Sequence, residues 1–158
     1  EPVARNISGY FQSLGERDVA FELRDEESRF YAFCPHAAPL QWFDIEIKGN
    51  FGFDIYDYPF DRDKGFSRFD VNGFKVFVYK IECLNGLQTE LGEFLCDSNF
   101  TLRNDHSTAD SGKGEFYRSF LANVRFNKHY LDFLYESKFS RHFYSEHQIS
   151  KLYERWLD

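Results

Sequence analysis

Phe66-Ser67-Arg68-Phe69-Asp70-Val71-Asn72-Gly73-Phe74-Lys75-Val76-Phe77-Val78-Tyr79-Lys80-Ile81 reads as two runs of strand-forming residues on either side of Asn-Gly. A type I′ turn needs φ > 0 at both central positions, which Asn and Gly accept, so the stretch predicts an antiparallel hairpin. Its second run is more apolar than a strand with one solvated face requires, and predicts a strand inside a sheet, covered on both sides. Glu82-Cys83-Leu84-Asn85-Gly86 follows, and then Leu87, Leu91, Phe94 and Leu95 mark a helix face. A strand followed closely by a helix places the chain in the α/β class.

Upstream of the hairpin, Phe51 to Phe60 is rich in rings and aspartates and reads as an irregular connection packed by its own side chains. Its alternative is an exposed glycan- or protein-binding surface, the basis of a non-catalytic interaction module. Pro39, Leu40, Trp42, Phe43, Ile45 and Ile47 predict a short helix ending near Gly49. Asp25-Glu26-Glu27 reads as a solvated loop or helix face. In Glu1-Pro2-Val3-Ala4-Arg5-Asn6-Ile7-Ser8-Gly9-Tyr10-Phe11, proline suits the first helical turn. Val3, Ile7, Tyr10, Phe11 and Leu14 then recur at the spacing of one helix face. Ser8 falls on the polar side, where it is either a solvated residue or, near the positive end of the helix, a phosphate ligand.

Downstream, Asn99 to Gly114 turns polar and small. Gly112, Lys113 and Gly114 form either a nest of amides beside a cation, able to hold an anion, or a surface loop. The last third predicts helices. One is carried by Phe116, Phe120, Leu121 and Val124, and another follows Asn127. Ser145 and Gln148 make a capping box ahead of Ile149, Leu152, Tyr153, Trp156 and Leu157.

Composition narrows the function classes. At 158 residues the chain is a single-domain length, and 20 Phe, 10 Tyr and 2 Trp supply a large apolar area. A formal charge of −7 with scattered basic residues excludes a general nucleic-acid binder. Cys34, Cys83 and Cys96 have no zinc or redox spacing, and Cys34-Pro35-His36 offers two ligands with no second pair, so no metal site is expected. No run of about twenty apolar residues is present to span a bilayer. The compartment stays open, with the cytoplasm favoured.

Four stretches, in chain order, together resemble the C-terminal part of a sulfotransferase that uses 3′-phosphoadenosine 5′-phosphosulfate. Glu1 to Tyr10 resembles the segment that binds the nucleotide's 3′-phosphate, with Ser8 matching the family serine. The family's arginine would stand immediately before Glu1. Phe74 to Leu84 and Leu87 to Leu95 resemble its buried strand, Glu-x-Leu turn and following helix. Asp110 to Tyr117 lies where the family has a Gly/Lys loop over the phosphates. Arg141-His142-Phe143-Tyr144-Ser145-Glu146 resembles the C-terminal signature of a bacterial branch linked to capsular or surface polysaccharide synthesis.

The resemblance implies the C-terminal half of a P-loop-type three-layer parallel sheet fold, helix-rich, with one hairpin around Asn72-Gly73. It implies 3′-phosphoadenosine 5′-phosphosulfate as co-substrate, a glycan-type acceptor, and a phosphosulfate-binding half of the same domain before Glu1. Ser8, Arg5, Gly112, Lys113 and Gly114 are then the nucleotide-binding candidates, and the general base lies outside the chain. His36 is the fallback base, beside an acceptor cleft, with His106 and His142 as weaker ones.

Overall fold

The computed structural model describes residues 1–14, 23–103 and 114–158, the side chains of 23–25 excepted. The fold is α/β and helix-rich, with one two-stranded antiparallel hairpin. In chain order the elements are α1 (Pro2–Ser13), α2 (Leu23–Phe33) and α3 (Ala38–Trp42), which runs through a π-helical segment (Phe43–Lys48) into α4 (Gly49–Phe51). Strands β1 (Phe66–Val71) and β2 (Phe74–Tyr79) lead by a 3₁₀ segment (Ile81–Gly86) into α5 (Gln88–Leu95). Then come α6 (Gly114–Asn123), α7 (Lys128–Tyr135), α8 (Lys138–Phe143) and α9 (Glu146–Trp156).

Two apolar clusters organise these elements. In the first, Val3, Ile7, Tyr10 and Phe11 of α1 meet Phe30 of α2, Phe120 of α6, Leu131 and Leu134 of α7, and Trp156 of α9. Phe11 touches the rings of Phe116, Tyr117 and Phe120 at 5.3–5.6 Å between centroids, mostly edge to face, as aromatic quadrupoles prefer. The second cluster joins Phe53 and Ile55 of the aromatic connection to Phe143 of α8 and Tyr144, with Phe69, Val71, Val76 and Val78 of the hairpin packed on it. Ile149 and Leu152 of α9 touch both clusters and tie them together.

The turn follows its sequence: Asn72 and Gly73 have φ of 50° and 80°, and Val71 pairs with Phe74. Strand β2 departs from expectation, because it is half-buried rather than interior. Its apolar excess has another cause. One face rests on the second cluster, while on the other Phe77 stacks against Phe66, meets Phe94 of α5 and lies under the Arg68 guanidinium. Among the described residues no strand pairs with the far edge of β2, and the only parallel pairing is a single bridge between Phe126 and Leu157.

The aromatic connection is packed by its own rings, with Tyr58 stacked on Phe69 at 4.1 Å and Phe53 and Ile55 buried. The predicted helix from Pro39 extends past Gly49 and closes on Gly52 in the left-handed region. The acidic run differs most. Glu26 is 0% exposed and accepts a 2.5 Å hydrogen bond from the Tyr10 hydroxyl. It sits one turn from Phe30 on the buried stripe of α2, a placement that charge alone does not announce. The capping box of α9 is formed as predicted, with Ser145 and Gln148 each bonding the other's backbone.

Candidate functional site

A cleft of about 350 Å³ opens where four parts of the chain converge. Helix α1 contributes Glu1, Pro2 and Arg5, the end of α3 contributes Trp42, the end of β2 contributes Tyr79 and Lys80, and α8 with its cap contributes Phe143 and Tyr144. The size and the largely apolar lining with a few fixed polar groups suit a small organic ligand.

The polar groups are held from behind. Glu1 caps α1, its carboxylate accepting from the amides of Val3 and Ala4 at 2.8 Å each and from the Tyr135 hydroxyl at 2.7 Å. Tyr144 donates to Glu82 Oε1 at 2.6 Å. Burial, and then the Glu82 carboxylate, hold the Tyr144 phenol far above its ordinary range, so it stays a donor at every working pH. Burial and Glu1 act on Tyr135 in the same sense. The buried Lys80 ammonium donates to the Arg62 carbonyl at 2.8 Å and to Gln148 Oε1 at 3.3 Å, and lies 5.1 Å from the centre of the Tyr144 ring.

Three residues that line the cleft carry polar groups without a partner among the described residues. The Arg5 guanidinium is exposed, makes no ion pair among the described residues and lies along its own helix, Nη1 falling 3.6 Å from where a Cβ on Gly9 would be. The Trp42 indole N–H and the Tyr79 hydroxyl have no hydrogen-bond partner among the described residues. The two residues are 46% and 38% exposed.

Of the residues singled out from sequence, Arg5 and Ser8 come together one turn apart on the same side of α1. Ser8 is half-buried, and its hydroxyl bonds to nothing among the described residues. Gly114 is buried at the first turn of α6, the helix whose Phe116 and Tyr117 pack on Phe11, so it lies near the C-terminal half of α1. Gly112, Lys113 and His106 lie outside the described residues. His36 does not line the cleft. Its ring meets Phe30, Tyr31 and Tyr130, with Nδ1 2.9 Å from the Tyr130 hydroxyl and Nε2 3.3 Å from the Tyr31 carbonyl.

Cys34 is buried, its thiol directed at the Asn6 carbonyl at 3.6 Å and pushed up to about 11 by burial. Among the described residues no group of three or more His, Cys, Asp or Glu is placed to hold a metal ion. No helix among them is long and apolar enough to cross a membrane.

Sequence reasoning passed over Trp42, Tyr79, Lys80 and Tyr144 as site residues. The one local signal was Lys80, a charge closing an otherwise apolar run. The rest are brought together only by tertiary packing.

A family model described as "Putative capsular polysaccharide synthesis protein" and named NKWYS matches residues 37–145. The match spans more than half of the chain and takes in the cleft wall from Pro39 to Tyr144, whereas Arg5 and Ser8 precede it. No curated protein and no solved structure matches the chain. By the extent of that match, the chain belongs to the NKWYS family, a family named for capsular polysaccharide synthesis.

Proposed function

We propose that this chain is the C-terminal portion of a sulfotransferase that moves a sulfuryl group from 3′-phosphoadenosine 5′-phosphosulfate to a hydroxyl or amine of a capsular or surface polysaccharide. Family membership supports the polysaccharide. The observation that carries the nucleotide is the α1 surface, where the Ser8 hydroxyl and the Arg5 guanidinium share one side of the helix, neither engaged by another described side chain.

An anion seated there receives a hydroxyl hydrogen bond from Ser8 and a planar, charged donor pair from Arg5. A phosphate on the 3′ position suits that pair, and a nucleotide without it leaves both donors unanswered. The same proposal assigns Gly112, Lys113 and Gly114 to the nucleotide's phosphates. In this reading the present residues bind and orient. The groups that hold the phosphosulfate and take the acceptor's proton come from elsewhere in the domain, and positioning with charge stabilisation supplies most of the rate.

Thermal unfolding with adenosine 3′,5′-bisphosphate and with adenosine 5′-monophosphate tests the reading. The bisphosphate is expected to raise Tm by an amount that grows with the logarithm of its concentration, and the monophosphate to do so far less. Ser8→Ala and Arg5→Ala are each expected to weaken the bisphosphate about tenfold, a loss of roughly 1.4 kcal/mol. A folded protein whose Tm is unmoved by millimolar bisphosphate overturns it.

A further inference from the structure

The two-residue turn makes Val71 and Phe74 a bonded pair of the hairpin ladder, and bonded pairs recur at every second residue. The series reaches Gly65 and Lys80, where the Lys80 amide donates to the Gly65 carbonyl at 2.8 Å. Lys75, Phe77 and Tyr79 fall between the bonded positions. Their amides and carbonyls point away from β1, toward an edge that no described strand occupies. Folded proteins blunt such an edge with Pro, bulges or several charges. Strand β2 has an unbroken register, no Pro and one charged residue, Lys75.

Exposed apolar side chains gather along the same edge. Of the ten large apolar residues exposed among the described ones, Trp42, Ile45, Phe51, Phe74, Tyr79 and Ile81 belong to β2, its continuation or the segment from α3 to α4. That segment runs beside β2 in the opposite direction. Trp42 shares the cleft with Val78 and Tyr79 at one end, and Phe51 meets the Phe74 ring at 5.3 Å at the other. Phe53 and Tyr58, by contrast, cover Phe69 of β1. On the opposite face of β2 stand Phe77 and Tyr79, their rings 6.0 Å apart.

A row of alternating main-chain donors and acceptors between apolar groups is answered by a β-strand, and the chain itself carries one that fits. Two copies of β2 meeting about a two-fold axis at Phe77 run antiparallel, so Phe77 faces Phe77, Val76 faces Val78 and Lys75 faces Tyr79. Every outward residue then trades both of its main-chain bonds. No like charges stand opposite each other, and each Lys75 ammonium meets a tyrosine ring. Centring the axis on Lys75 instead sets two ammonium groups opposite and leaves Tyr79 unpaired.

We infer that the free edge of β2 is an interface for a second copy of this chain, joining the two hairpins into one four-stranded antiparallel sheet with the two Trp42 segments on the same face. The register brings the Asn72-Gly73 turn of the second copy to the Tyr79 end of the cleft, so the dimer adds a wall there. All of these residues lie inside the family match. The inference goes beyond the proposed function and does not depend on its nucleotide.

The chain carries its own probe. It has two tryptophans, and Trp156 is 0% exposed in the first cluster whereas Trp42 is 46% exposed. Acrylamide therefore quenches Trp42 selectively. Sedimentation velocity from sub-micromolar to several hundred micromolar protein is expected to show a reversible monomer–dimer transition. Trp42 quenching is expected to fall roughly twofold over the same range, as the ring enters the interface. The Lys75 amide points outward, so Lys75→Pro removes bonds to the second copy and none within the hairpin. It is expected to weaken the dimer at least tenfold, and Lys75→Ala, which keeps the amide, no more than about threefold. Ile45→Glu reaches the same interface without touching the hairpin, and is also expected to weaken it at least tenfold.

A chain that stays monomeric at several hundred micromolar overturns the interface. So does a dimer in which Trp42 quenching is unchanged, or one that Lys75→Pro and Ile45→Glu both leave intact, since it forms through another surface. The Tm response to adenosine 3′,5′-bisphosphate tests the proposed function separately, and each reading stands or falls by its own measurement.

Discussion

His142 shows how a single side chain in this fold carries a pH dependence. Its imidazole lies edge-on to the rings of Tyr56 and Phe143, and its own carbonyl accepts from Arg62 Nε at 3.0 Å. Burial, then the Arg62 guanidinium, then Lys138 hold its pKa below the ordinary histidine value, with Asp54 opposing them. The unfolded chain therefore takes up the proton more readily than the folded one. Stability is full above the ordinary histidine pKa of about 6.5 and is lost as pH falls below it. Between pH 7.5 and 5, the wild type is expected to lose more in Tm than His142→Phe does. Differential scanning calorimetry resolves this, each kcal/mol moving Tm by about 2–4 °C in a chain of this size. Equal slopes for the two proteins would show that other groups carry the acid limb. A histidine beside Phe143 was legible in the sequence, but the cations that disfavour its charge were not, because Arg62 reaches it from eighty residues away in the chain.

Among the elements, α9 joins local sequence logic to tertiary structure. Its capping box follows from Ser145 and Gln148 alone, and a Ser145→Ala change is expected to cost about 1 kcal/mol. Gln148 does more than the box requires. Its Oε1 also accepts from Lys80 Nζ at 3.3 Å, and its Nε2 donates to the Arg62 carbonyl at 3.1 Å. Gln148→Ala therefore removes one partner of a buried ammonium as well as a cap, and is expected to cost more than Ser145→Ala, about 2–3 kcal/mol. Urea unfolding of the two variants measures the difference, and equal losses would mean that Lys80 is indifferent to Gln148. The hairpin, the capped helices and their apolar stripes were readable because each is specified within a few neighbouring residues. The buried Glu26, the half-exposed β2 and the walls of the cleft were not. Each depends on what a distant segment places opposite it.

At the scale of the molecule, the two clusters differ in how they resist opening. The first is enclosed by α1, α2, α6, α7 and α9, while the second rests on a two-stranded hairpin with an open edge. Isolated hairpins are marginal in water, and stability within one fold is uneven. Amides of β1 and β2 are expected to exchange with deuterium at least tenfold faster than those in the middle of α1 and α7. Equal protection across both would show a single cooperative unit. The wide turn that links α3 to α4 bears on the same architecture through chain length. Gly49 N–H reaches back five residues to the Asp44 carbonyl, the mark of one residue more than an α-helix needs. Each residue of an α-helix turns it by about 100°. Losing one residue between Phe43 and Lys48 would leave a regular helix with its ends rotated by that angle against each other. Trp42 would swing out of the cleft wall while Phe51 kept its place on Phe74. Insertion and deletion in this segment thus act as an angular dial on the cleft, one restrained by the packing of Phe43 and Ile47 on the second cluster.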